Sequence, residues 1–213
     1  ERNERELEQL SELKWESPRS IKFLERINHP SVPTIYPPMA QYVFRTVHFF
    51  QPDSILAMRL AFLILDVLAL FFIIGILDKL ALNINMSGVY FWCPLIIKET
   101  FNSTHLDIIG ISFLCGSIYF LVHKRHTLAT FFLALGFLGK LYPAILFPLY
   151  IQACIQQCKK SKGNPWWIPI LNTLFFVGII TLGYVPFMGI GLHIFDGLKA
   201  YSLYWQSNDS IFA

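Results

Sequence analysis

Residues 55–77 form an apolar run of 23, broken only by Arg59 and Asp66, and nothing else in the chain constrains its fold as strongly. As a helix rising about 1.5 Å per residue, the run covers the roughly 30 Å of a bilayer core. Arg59 and Asp66 stand seven residues apart and share a helical face, which at that depth must look into protein. Four more apolar runs follow, at 82–97, 108–122, 127–139 and 144–158, of 13 to 16 residues each. At roughly 20–24 Å as helices, each is too short to cross comfortably alone. A last long run covers 166–187. With 54% hydrophobic and 15% charged residues and a mean hydropathy of +0.50, the chain is well below the roughly 25% charge of soluble domains. The expectation is an all-α, multi-pass membrane protein.

Positive charge sets the expected topology. Lys79, the His-Lys-Arg-His stretch at 123–126, and Lys159, Lys160 and Lys162 are the basic connections, which the positive-inside rule assigns to the cytoplasmic side. The four short runs then form two hairpins turning outward at 98–107 and 139–143. Gly139-Lys-Leu-Tyr-Pro143 suits a helix break, since glycine permits unusual dihedrals and proline cannot donate the helical bond. Residues 1–53 read as an extracytoplasmic loop region. It holds an amphipathic helix through Leu7, Leu10 and Leu13, a proline-rich stretch from Asn28 to Pro38, and an interfacial helix over 39–50. Residues 54–187 form the transmembrane domain, and 188–213 an external loop carrying Tyr201, Tyr204, Trp205, Asn208 and Asp209. The chain opens on Glu1 and stops in a polar loop, so it reads as a piece of a longer protein.

Several function classes drop out. The net charge is +3, with no basic stripe interleaved with aromatics, so no nucleic-acid partner is expected. The four cysteines lie inside apolar runs, and the Cys154/Cys158 pair has no histidine neighbour, which favours packing residues over a metal site. No phosphate-binding glycine loop, nucleophile elbow, His-Glu-x-x-His motif or Cys-x-x-Cys pair occurs. A soluble nucleotide-sugar enzyme and an energised pump are thereby disfavoured.

Between two of the apolar runs, Lys98, Glu99, Asn102, His105 and Asp107 crowd into ten residues. Ionisable groups are costly at membrane depth, so such a cluster points to a functional site. If the helix continues, Lys98, Asn102 and His105 share a face. Asp107 could take a proton from an acceptor hydroxyl with help from His105, and Lys98 could neutralise a phosphate. The plainer alternative is an ion cluster capping two helices, with Lys98 reaching to the interface. Lys140 and Tyr142 present a cation and a phenol at the other break, suited to phosphate oxygens or, alternatively, to an interfacial anchor.

Taken in order, four blocks resemble bacterial GT-C glycosyltransferases that use polyprenyl-phosphate mannose: Asn28-His-Pro-Ser-Val-Pro-Thr-Ile-Tyr-Pro-Pro-Met-Ala-Gln41, Pro94 through Asp107, Lys140-Leu-Tyr-Pro143, and Tyr201 through Ser210. The resemblance implies short helices around a cavity open to the outer leaflet of the plasma membrane. Its implied partners are a polyprenyl-phosphate sugar, a lipid or glycan acceptor, and membrane lipids. Transfer would invert the anomeric carbon. By the same resemblance, Lys140, Tyr142 and Lys98 hold the donor phosphate, and Asp107 and His105 support catalysis. Asn102, Glu99, Tyr36, Gln41, Trp205 and Asn208 line the cavity. The family's principal catalytic aspartate belongs to a first external loop, expected upstream of Glu1. No cofactor is called for by these residues and none is assigned as a metal ligand, while the resemblance leaves room for a divalent cation. A transporter or lipid-handling protein with a polar site at broken helices is the competing reading, and a non-catalytic subunit is a third.

Overall fold

The structure, a computed structural model, describes residues 34–160 and 166–204, which are helical throughout apart from turns, with no strand among them. The helices are α1 (Pro38–Phe50), α2 (Ile55–Lys79), the short α3 (Ser87–Phe91) and α4 (Pro94–Ile96), α5 (Asp107–Val122), α6 (His126–Gly139), α7 (Phe147–Lys160), α8 (Trp167–Tyr184) and α9 (Asp196–Tyr204). Pro38 opens α1, where a missing N–H costs nothing and a fixed φ favours the helix. Ser54 caps α2 by accepting from the Ala57 N–H at 3.2 Å, and Lys79 closes it where the helix dipole favours a cation.

Two helical stretches among the described residues are long and apolar enough to cross a membrane, Ile55–Lys79 and Trp167–Gly189. Much of their apolar surface faces outward. Leu56, Ile64, Val67 and Phe71 of α2 are all more than half exposed, a surface that suits lipid better than water.

Within the compact unit Tyr36–Pro186, α5 is the central strut, packed between α2 and α6. Arg59 meets Asn102 just ahead of α5, and Phe72 meets Phe120 towards its end, so α2 and α5 run the same way. Ser117 Oγ donates to the Ala129 carbonyl at 2.8 Å, and Gly110 lies against Lys140, so α5 and α6 are antiparallel. Phe131 stacks on Phe175 and Leu138 packs against Gly183, which makes α8 parallel to α6. The buried Tyr150, Cys154 and Cys158 line one face of α7. Arg59, Asn102 and Lys140 therefore collect at one end of the unit, and Lys79, Arg125 and Lys160 at the other.

Residues 82–97 do not form the single helix expected of them. They climb beside α2 in pieces: a 3-10 turn at Ile84–Met86, then α3, α4 and a π-helix at Ile97–Asn102. Pro94 cannot donate and holds Cys93 extended, with φ −69° and ψ 113°, so the α-helical ladder cannot pass. Midway, the Tyr90 hydroxyl donates to Asp66 at 2.5 Å. Asp66 and Arg59 thus both face protein.

The run expected over 144–158 likewise starts as a 3-10 segment, Tyr142–Leu146, and becomes α-helical at Phe147. From residue 188 the chain was expected to be loop, yet it is helical to Tyr204. A 3-10 stretch, Val185–Phe195, kinks at Gly191 (φ 58°) and leads into α9, whose Asp196 favours the helix start. Phe187 onward belongs to a second unit. The expectations for residues 1–33, for Lys162 and for the segment carrying Trp205 and Asn208 lie outside the described residues.

Candidate functional site

Two helix breaks build the polar end of the unit. In the first, the wide π-helical turn makes its last bond from the Ser103 N–H to the Lys98 carbonyl, at 2.8 Å. Thr104 then turns left-handed (φ 57°), which ends the helix, and Asp107 opens α5. The helix therefore does not continue through His105, and Lys98, Asn102 and His105 do not share the expected face. Glu99 gathers this group instead. Its Oε1 lies 3.8 Å from Lys98 Nζ and its Oε2 3.4 Å from His105 Nε2, while the His105 N–H donates to its carbonyl. The exposed Asn102 is tied through its carbonyl, which accepts from Arg59 Nη2 at 3.1 Å.

In the second break α6 stops at Gly139 and Lys140 becomes extended, with φ −150° and ψ 146°. Its Nζ comes 2.5 Å from Asp107 Oδ1. Two glycines make that approach feasible. A Cβ on Gly110 would stand 3.1 Å from Lys140 Cβ and 3.4 Å from the Tyr142 hydroxyl. A Cβ on Gly139 would stand 3.0 Å from Ile109 Cγ2 and 3.2 Å from the Gly110 nitrogen. The backbones of α5 and α6 therefore cross nearly in contact, and Lys140, Asp107 and Tyr142 meet around Gly110. Burial, and then the Asp107 charge, push the Tyr142 phenol above its ordinary range, so it stays a neutral donor.

Helix α1 completes this end. Ala40 is buried in a cluster with Phe62, Leu106, Ile108 and Ile109, and α1 packs on α6, α2 and α8. At its start, Gln41 Nε2 lies 3.5 Å from the Tyr36 carbonyl, and the Tyr36 ring meets Phe44 edge-on. Of the residues expected at the site, Asp107, Lys140 and Tyr142 are brought together directly. Lys98, Glu99 and His105 form a neighbouring group, and Lys98 turns to Glu99 rather than to the Lys140 group. Sequence reasoning passed over Gly110. The available signal was Gly136 and Gly139 facing a lone glycine three residues after Asp107, the small-residue pattern of close membrane-helix crossings.

Among the described residues, no group of three or more His, Cys, Asp or Glu side chains is arranged to hold a metal ion. No family model, curated protein or solved structure matches the chain.

Proposed function

We propose that this chain is the membrane-embedded part of a multi-pass glycosyltransferase. It moves a hexose, mannose first, from a polyprenyl-phosphate donor to a lipid or glycan acceptor on the non-cytoplasmic face. The observation that carries the reading is the Lys140–Asp107 pair beside Tyr142, at the end of the unit opposite the basic connections. Their side chains are 34% and 48% exposed, and a pair that open contributes only about 0–1 kcal/mol. An incoming phosphate can therefore exchange with Asp107 for Lys140 at little cost. In the transfer, the acceptor oxygen bonds to the anomeric carbon as the carbon–phosphate oxygen bond breaks. The electron pair leaves on polyprenyl phosphate and the hydroxyl proton passes to a carboxylate. Lys140 neutralises the leaving phosphate and the neutral Tyr142 phenol donates a hydrogen bond to it, while Asp107 and His105 orient the acceptor end. Glu99, Asn102, Tyr36 and Gln41 are assigned to the sugar and acceptor side.

The assay is incubation of the purified full-length protein in nanodiscs with a panel of polyprenyl-phosphate sugars and a membrane extract as acceptor source. Sugar-dependent release of polyprenyl phosphate is the expected result. If no donor is consumed while solute flux through the same protein is measurable, the transporter reading replaces this one.

The orientation has its own test. In a cysteine-free background, a cysteine replacing Asn102 should react with an impermeant thiol reagent on intact cells, and one replacing Arg125 should not. Labelling at 125 from outside overturns the two-hairpin topology.

A further inference from the structure

Arg59 is the charge at this end that the chemistry above leaves unused. It stands about 6 Å into α2, four residues past Ile55 at the usual helical rise, and is half-buried. Its guanidinium makes one hydrogen bond, from Nη2 to the Asn102 carbonyl, and its Nε is buried with no partner. The nearby acids are all engaged elsewhere. Asp66 accepts from Tyr90, Glu99 faces Lys98 and His105, Asp107 faces Lys140, and Asp53 lies 3.9 Å from His48. Among the described residues, no carboxylate reaches ion-pair distance of Arg59.

A cation half-sunk in apolar surroundings without a counter-ion is costly, and one backbone carbonyl offsets only part of that cost. A guanidinium presents five N–H donors in a planar fork that matches two oxygens of a phosphate, and here only one is used. Leu56, Leu60 and Leu63 on the same helix are exposed. The missing anion is therefore better carried by an amphiphile than by a solute ion.

We infer that Arg59, fixed by the π-helical turn at Asn102, is an anchor for the phosphate of an anionic lipid. The inference rests on the glycosyltransferase reading only for which lipid that is, a polyprenyl-phosphate donor or a common anionic phospholipid.

The test begins with the unmodified full-length protein in phosphatidylcholine nanodiscs. Phenylglyoxal modification of Arg59 is followed by peptide mass spectrometry with polyprenyl phosphate, with the uncharged polyprenol, or with phosphatidylglycerol added. Polyprenyl phosphate should slow modification roughly tenfold or more, the scale of charge-assisted hydrogen bonds, and polyprenol should not. Equal protection by phosphatidylglycerol assigns a general lipid-phosphate anchor, and protection by polyprenyl phosphate alone assigns a donor site. Unchanged modification at saturating amounts of both overturns the inference.

Arg59→Gln supplies an independent arm. It keeps an N–H for the Asn102 carbonyl and removes the charge, so melting should be unchanged while retention of polyprenyl phosphate in native mass spectrometry falls roughly ten- to a hundredfold. Retention equal to wild type in a folded Arg59→Gln protein also overturns it. Neither readout needs sugar transfer. A protein that holds lipid phosphate through Arg59 yet consumes no donor therefore removes the enzyme reading alone.

Discussion

Lys140→Met in the full-length protein is expected to cut transfer from a polyprenyl-phosphate donor by roughly tenfold to a thousandfold, the scale of losing one charge-stabilising donor. The fold should barely notice. The Lys140–Asp107 pair is open to solvent and contributes about 1 kcal/mol at most, and the lysine stem, lying against Gly110, is replaced by a methionine stem of similar bulk. A loss of turnover without a loss of melting temperature is thus the signature of a phosphate-holding cation. Asp107→Asn sharpens the test, because it releases Lys140 from its carboxylate. Donor should then bind at least as well as to the wild type, while transfer is poor if the carboxylate orients the acceptor. Unchanged turnover in Lys140→Met, with normal expression, returns the lysine to an interfacial anchor and takes the donor-phosphate assignment with it.

The parts of this architecture that could be read in advance were those set by one-dimensional properties. Helix α2 follows from an apolar run broken only at Arg59 and Asp66, and the ends of the following helices from where basic residues interrupt such runs. Arg59 and Asp66 had to face protein for the same reason, and they do. Hydropathy carries no information on backbone register, which is why residues 82–97 were expected as one helix. Pro94, the Asn83 cap on the Asn85 N–H and the π-helical bonds after Ile97 break that run while leaving it just as apolar. The same limit hid the pairing of polar groups. Helical spacing aligned Lys98 with His105, whereas the left-handed Thr104 turns the chain so that Glu99 meets His105. The meeting of Asp107 with Lys140, 33 residues later, depends on a close α5–α6 crossing at Gly110 and Gly139.

Gly116→Val is expected to be the most disruptive single change in the described helices. A Cβ at Gly116 would fall 2.5 Å from Phe132 Cδ1 on α6 and 2.8 Å from Phe72 Cε2 on α2. Those rings are already in edge contact with each other, with centroids 5.5 Å apart, and Phe72 is only 5% exposed. Neither ring can swing clear without displacing the other. Overpacking of this kind costs about 1–3 kcal/mol, and Val adds two more methyl groups at a point where Ala already collides. The strain falls on the one helix that both neighbours share, so α2 and α6 must move away from α5 together. Arg59 then loses Asn102, and Lys140 loses Asp107. Gly178 is the control, because a Cβ there meets nothing within 4 Å, and Gly178→Ala should be neutral or stabilise by up to about 1 kcal/mol through helix propensity. Melting of the Gly116→Ala, Gly116→Val and Gly178→Ala proteins in one detergent should therefore order them as Gly178→Ala at or above wild type, then Gly116→Ala, then Gly116→Val. Melting of Gly116→Val at the wild-type temperature would show that α5 is not wedged between α2 and α6, and the geometry that joins Lys140 to Asp107 would lose its support.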